Sequence, residues 1–212
     1  MRYIRGIIDW IESLESGRQF QKWIAVFINV LAVSLFLAIG AWGVVNFLSV
    51  IEANSEMTDS AAQALVIAGA VLEACVILLT AVVLLMLLWG RARKVRELGK
   101  PASIVLMTIT GIMIRLAGEV GFVGLIGIGA HVMVTAIFRL GAPKYLLRLD
   151  PEIEAVLPLS DGIVLFLLSI PVGAAALITA YFIAEKSNAL TEIAMTLQRI
   201  ETKLSHHTES DT

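Results

Sequence analysis

The hydrophobic residues of this chain fall into long runs that are separated by short polar segments. Three runs, at residues 23–51, 61–89 and 161–184, are each long enough to cross a hydrocarbon core of about 30 Å as one α-helix. A fourth run, residues 101–140, would form a straight helix of roughly 60 Å, which is about twice that thickness. The pattern therefore predicts an all-α, polytopic membrane protein in which the path of the fourth run is open.

Two paths through the fourth run fit the sequence. In the first, a break near Gly118–Gly121 leaves residues 101–117 as a re-entrant or interfacial segment and makes residues 119–140 the third of four spans. In the second, residues 102–117 and 120–138 are two short spans joined by a tight turn, which gives five spans and an external C-terminus. Basic residues support both paths: Arg139, Lys144 and Arg148 favour five spans, whereas Lys186, Arg199 and Lys203 favour four.

The spacing of the segments favours the four-span path. Residues 1–90 contain an amphipathic segment, a span, an acidic loop and a second span, and a similar order recurs in residues 101–185. In each half the spans would begin about forty residues apart, as expected for an internal repeat in a membrane protein. We therefore predict a transmembrane bundle of four helices over residues 21–185, with five spans as the alternative.

Amphipathic segments precede and follow this bundle. Residues 1–20 have isoleucines on one helical face and charges on the other, so we predict a helix that lies in the membrane interface. Residues 186–212 are predicted to form an amphipathic or coiled-coil helix with a disordered end. Its apolar residues recur at alternating spacings of three and four, which is typical of an oligomerisation seam, and they are Leu190, Ile193, Leu197, Ile200 and Leu204.

Charge distribution orients the chain and limits its partners. Basic residues cluster after the second span, while the loop at residues 52–60 contains neither lysine nor arginine. The positive-inside rule then places both termini of a four-span protein in the cytoplasm, and we expect the plasma (inner) membrane. The net charge of −2 argues against a nucleic-acid partner. Cys75, which is the one cysteine, is expected to be a buried small hydrophobe.

Glu73 is the first candidate for intramembrane chemistry, because it lies near the middle of the second span. A carboxylate there must be protonated or paired, since an isolated charge in hydrocarbon is too costly. Glu73 is therefore either a neutral, hydrogen-bonded acid or a proton or cation site. His131 has a comparable depth in the third span, so a Glu73–His131 pair is one hypothesis. The sequence favours the simpler alternative, in which His131 is bonded to a backbone carbonyl.

Three further polar residues lie within the apolar runs. Arg115 and Glu119 are four residues apart, so they share a helix face and are predicted to form a local ion pair near the inner boundary. Asn29 in the first span is expected to hydrogen-bond to a neighbouring helix.

The chain contains none of the familiar catalytic or nucleotide-binding motifs. It lacks GxxxxGK[ST], HExxH, GxSxG and any spaced Cys/His set, so we expect no enzyme activity, no cofactor and no metal. The interpretation we favour is a non-enzymatic accessory or scaffold subunit, with membrane lipids and other membrane subunits or copies of itself as partners. A small oligomeric channel or proton-coupled transporter that uses Glu73 is the alternative. An enzyme acting on lipid is the third class, for which no nucleophile can be named.

Overall fold

The computed structural model of the chain describes residues 18–53, 60–98, 102–138 and 159–210. These residues form four helices, α1 (Arg18–Ala53), α2 (Ser60–Arg96), α3 (Ala102–Phe138) and α4 (Leu159–Ser210). Each helix contains a segment long and apolar enough to cross a membrane. The prediction of an all-helical, multi-pass membrane protein with four spanning helices is therefore confirmed. Residues 1–17 of the interfacial helix predicted over residues 1–20 lie outside the described residues, and residues 18–20 belong to α1.

The predicted break in the fourth apolar run is wrong. Helix α3 is continuous from Ala102 to Phe138, and its membrane-length apolar part begins at Thr108. Residues 101–117 therefore do not form a separate re-entrant segment, and the tight turn required by five spans is absent. Because this helix begins well before residue 119, the equal spacing that suggested an internal repeat is also lost. Of the two glycines at the predicted break, Gly118 lies against Ala180 of the following helix, whereas Gly121 faces open space.

Consecutive helices run in opposite directions. At one end of the bundle, Val50 of α1 and Val66 of α2 pack together with Phe138 of α3. At the other end, the start of α1, the end of α2 and the start of α3 form a second apolar cluster, which includes Ala25 and Val95. We call this second end the basic end, because α2 ends there in Arg91, Arg93, Lys94 and Arg96.

Helix α4 is antiparallel to α3 and packs closely along it. Gly162 near the start of α4 lies against Ala136, and further along Ala180 lies against Gly118. A side chain at either glycine would collide with the facing alanine, so these positions set the approach of the two helices. Ala176, Ala180 and Ala184 recur every four residues along α4, and this face approaches α3 at Gly118 and Gly111. Helix α4 consequently reaches the basic end, where α1 begins.

Helix α2 has its buried residues on one stripe. They recur at spacings of three and four, which is the period of a helix face, and they are Val66, Gly69, Ala70, Glu73, Ile77, Ala81, Leu84, Leu88, Ala92 and Val95. Cys75 lies off this stripe and is exposed, so its predicted burial is wrong. The stripe carries a glutamate among aliphatic side chains, and this is the residue from which the first candidate site is built.

The helices are arranged as a row, in which each packs mainly on its neighbour in sequence. Among the described residues, α4 has extensive contact only with α3, and α1 has extensive contact only with α2. Large apolar side chains consequently remain exposed along the whole row, including Leu37, Leu79 and Leu167. Such a surface is expected of helices whose outer faces contact lipid or other helices.

Helix α4 is longer than the others and extends beyond its apolar segment. The membrane-length part ends at Leu190, and the helix continues without interruption to Ser210. The disordered end predicted for the tail is thus helical up to that residue. Extending an existing helix avoids the cost of nucleation, which explains why a polar sequence remains helical.

Candidate functional site

The first candidate site is formed by Glu73 of α2 and His131 of α3. Both side chains are almost fully buried, with 1% of Glu73 and 3% of His131 exposed. The Nδ1 atom of His131 lies 2.9 Å from Oε1 of Glu73. The two side chains are therefore in contact, which corrects the lone histidine favoured by the sequence, while proton sharing between them stays a hypothesis. We call these two residues the deep pair.

Thr135 completes the polar contacts of the deep pair. It follows His131 by one helical turn, so both side chains lie on the face of α3 that packs against α2. Its hydroxyl lies 3.0 Å from Oε1 of Glu73 and 3.0 Å from the carbonyl oxygen of His131. A hydroxyl has one proton, so it donates to one of these acceptors at a time. Protonated Glu73 could itself donate to the hydroxyl, which would allow Thr135 to donate to the carbonyl.

The deep pair has unused hydrogen-bonding capacity. Oε2 of Glu73 is buried and has no hydrogen-bond partner among the described residues. Nδ1 of His131 is also without one, because its 2.9 Å contact with Oε1 lacks the geometry of a hydrogen bond. The edge of Trp42 from α1 covers the imidazole, with ring centroids 5.0 Å apart. A carboxyl and an imidazole this close can form either a neutral contact or an ion pair inside the bundle. The arrangement therefore places two polar side chains from different helices against each other in an apolar environment.

The second candidate site joins three helices nearer the basic end. Nε of Arg91 on α2 donates to Oε2 of Glu119 on α3 at 2.9 Å, and its Nη2 contacts Oε1 of the same carboxylate. The hydroxyl of Tyr181 on α4 also donates to Oε1, and Nη2 lies 3.2 Å from that hydroxyl oxygen. The guanidinium therefore binds the carboxylate in a bidentate manner, and the tyrosine donates a third hydrogen bond. We call Arg91, Glu119 and Tyr181 the boundary cluster.

The predicted ion pair between Arg115 and Glu119 is wrong. Although the two residues share a face of α3, the carboxylate is occupied by Arg91, which reaches it from α2 with both prongs of its guanidinium. The guanidinium of Arg115 instead lies over the ring of Tyr181, 5.4 Å from its centroid. Its Nε is buried and has no hydrogen-bond partner among the described residues. One positive charge at this level is consequently left without a carboxylate.

Asn29 belongs to neither site. Its Oδ1 atom is buried without a hydrogen-bond partner in the described part of the chain, so the interhelical bond predicted for it is not seen at that atom. Asn29 precedes Trp42 by about 20 Å of helix rise, which places it well away from the deep pair. Gln21, which the sequence did not single out, is buried near the start of α1, and its Nε2 is likewise unpartnered.

The two sites differ in depth. Twelve residues of α3 separate Glu119 from His131, which corresponds to about 18 Å along the helix. The side chains of His131 and Glu73 keep only 3% and 2% of their surface exposed, whereas those of Arg91 and Glu119 keep 14% and 15%. Among the described residues, no group of three or more His, Cys, Asp or Glu side chains is placed to hold a metal ion.

Comparison with known proteins adds no assignment to this geometry. No protein family, curated protein or solved structure matches the chain. The described residues form a multi-pass membrane fold with four spanning helices, a buried Glu–His contact and an Arg–Glu–Tyr cluster that joins three helices.

Proposed function

We propose that the chain is a non-enzymatic accessory or scaffold subunit of a complex in the plasma (inner) membrane. The observation that supports this is the end of α4, where four aliphatic side chains of the predicted seam remain exposed beyond or at the end of the apolar segment. Leu190 is 66%, Ile193 58%, Leu197 61% and Ile200 50% exposed. Fully burying each such side chain is worth about 1.5–3 kcal/mol.

The seam favours a helical partner. Its side chains recur at the a and d positions of a coiled coil, and the positions around them carry both acidic and basic residues. A helix that lies on the membrane surface would instead be enriched in basic residues. The open row of transmembrane helices also leaves long apolar faces on α1 and α4 to which other membrane helices can bind.

A small oligomeric channel or proton-coupled transporter is the second candidate function. It is favoured by the 2.9 Å contact between Glu73 and His131, because two titratable groups that face each other inside a span are suited to carrying a proton. Replacing Glu73 by glutamine separates the two candidates. In a subunit without transport activity, Glu73→Gln leaves insertion and complex formation intact and changes no ion flux. In a transporter, it abolishes flux in proteoliposomes while the protein still assembles.

The proposed topology places the basic end in the cytoplasm, and with it both termini. The positive-inside rule supports this side, because α2 ends in a basic cluster and the 52–60 loop at the opposite end has no Lys or Arg. A Ser205→Cys substitution in a Cys75→Ala background tests it. We expect no labelling by a membrane-impermeant thiol reagent in intact cells and full labelling after permeabilisation. Labelling from outside would reverse the orientation.

A further inference from the structure

The charges around the boundary cluster do not balance. Arg91 binds the carboxylate of Glu119 directly and Lys94 acts on it electrostatically. Arg115 precedes Glu119 by one turn of α3 and contacts the ring of Tyr181. The four charged side chains carry three positive charges and one negative charge. At the exposed margin, Arg93 is paired with Glu97 at 3.9 Å, so this pair contributes no net charge.

Arg115 is the cation of this group that, within the described part of the chain, lacks both an ion-pair partner and a hydrogen-bond acceptor for its Nε. No described carboxylate lies within ion-pair distance of it, and its Nε is buried without an acceptor. A partly desolvated guanidinium that lacks an anion is costly, because the loss of water is not offset by a counter-charge. The ring of Tyr181 holds the group in place through its π face but provides no hydrogen-bond acceptor for Nε. Arg115 is therefore held in one position without a counter-ion among the described residues.

The position of this cation indicates where its anion comes from. Trp89 is 63% exposed two residues before Arg91, and Tyr181 approaches Arg91 from α4. Aromatic side chains of this kind are enriched at the level of the lipid headgroups. The cation lies between helices whose outer faces are apolar, which is the surface that lipid chains cover. An anion at this level is most simply the phosphate of a lipid whose acyl chains lie along the bundle.

We propose that the basic end of the bundle is a binding site for the headgroup phosphate of an anionic phospholipid, with Arg115 as its central cation. A guanidinium is matched to phosphate oxygens because its N–H groups form a planar fork. Basic pockets between membrane helices bind anionic headgroups by the same chemistry. Arg91 is committed to Glu119, so its role is to hold that carboxylate away from Arg115 and keep the site positively charged.

The test measures lipid retention by native mass spectrometry of the full-length protein. Nanodiscs contain phosphatidylcholine with an equal amount of phosphatidylglycerol, and the variants are Arg115→Gln and, as a matched control, Arg93→Gln. Wild type and Arg93→Gln are expected to retain phosphatidylglycerol in preference to phosphatidylcholine. Arg115→Gln is expected to bind phosphatidylglycerol about tenfold more weakly, because one charge-assisted contact is lost. Equal retention by all three proteins would overturn the proposal.

A competition experiment identifies the source of the phosphate. A thermal-unfolding experiment on the wild-type protein tests the site without relying on the folding of Arg115→Gln. Excess inorganic phosphate should leave lipid retention unchanged. Displacement of the lipid by inorganic phosphate would assign the site to the free anion and overturn the lipid assignment. Independently, the wild-type protein should unfold at a higher temperature in phosphatidylglycerol than in phosphatidylcholine. Identical unfolding temperatures, together with no preference in retention, would contradict the site even if Arg115→Gln does not fold.

Discussion

The imidazole of His131 lies 2.9 Å from the carboxyl oxygen of Glu73, and the two residues come from different helices. Both side chains lie on the faces along which α2 and α3 pack, and water has almost no access to either. Separately, each group would be an unpaired ionisable side chain in an apolar environment, which is strongly destabilising. Their contact therefore joins α2 to α3 inside the bundle and offsets part of the cost of burying both groups.

The deep pair should be energetically coupled. Glu73→Ala alone leaves a buried imidazole without its partner and is expected to destabilise the protein by about 3–5 kcal/mol. Adding His131→Ala should cost less than it does in the wild-type background, with a coupling energy of roughly 0.5–3 kcal/mol. Thermal unfolding in detergent of the wild type, both single variants and the double variant gives this value.

A matched cycle controls for non-specific effects. Ser169 is a buried hydroxyl on α4 that bonds to its own helix at the carbonyl of Phe166, at 2.7 Å. Glu73→Ala combined with Ser169→Ala should be additive to within about 0.5 kcal/mol. Additivity in the Glu73–His131 cycle as well would show that the contact contributes no stability.

Arg91 should be far more important for stability than Arg93, although both belong to the same basic cluster. The side chain of Arg91 is 14% exposed and bridges α2, α3 and α4, so Arg91→Ala leaves Glu119 without its cation. We expect a loss of about 1.5–3 kcal/mol. Arg93 is 79% exposed and lies 3.9 Å from Glu97, so Arg93→Ala should change stability by less than about 0.5 kcal/mol. Similar losses in the unfolding curves of both variants would contradict the boundary cluster.

The packing of α3 on α4 predicts opposite effects for two glycines of one helix. A methyl group at Gly129 would lie 2.5 Å from the hydroxyl of Ser169 and 3.2 Å from the Cα atom of Phe166, so Gly129→Ala should cost about 1–3 kcal/mol. Gly124 has open space at this position, and Gly124→Ala should stabilise the helix by up to about 1 kcal/mol. Unfolding temperatures that move in the same direction for both variants would reject this packing.

The exposed seam of α4 predicts a selective loss of assembly. Leu197→Asn places an amide on the apolar face and should dissociate the complex, because a partner would then have to bury an unmatched polar group. Glu192→Gln, at an exposed position on the side of the helix away from the seam, should have no effect on assembly. Chemical cross-linking in membranes followed by gel analysis measures both. Equal cross-linking of the two variants would mean that the seam is not an interface.

Hydrophobic periodicity was sufficient to predict the helical class and the four spanning helices, because span length and apolar content are properties of local sequence. It failed for α3, where glycines were interpreted as a break. A glycine is tolerated inside a helix when a neighbouring helix packs onto it, and that neighbour, α4, is distant in sequence. Local pattern alone could not reveal this packing.

In the candidate sites, too, spacing within one helix was apparent from the sequence, whereas contacts between helices were not. Depth in the span made a Glu73–His131 pair one hypothesis, although the sequence favoured a lone histidine. Thr135 could have been found from its spacing of four residues after the histidine. The partner of Glu119 could not be found from sequence spacing. Four-residue spacing pointed to Arg115, whereas Arg91 reaches the carboxylate from another helix and Tyr181 from a third. Helix adjacency decides such contacts, and no local signal encodes it.

The central claim is that this chain is a subunit of a larger membrane complex. Native mass spectrometry of the protein, extracted with its surrounding lipid in nanodiscs, tests this claim most directly. If the chain is such a subunit, we expect it to be recovered together with at least one other protein in a fixed ratio. Recovery as a monomer or as an assembly of this chain alone would contradict it, and a homo-oligomer would direct attention to Glu73 and His131 as parts of a pore.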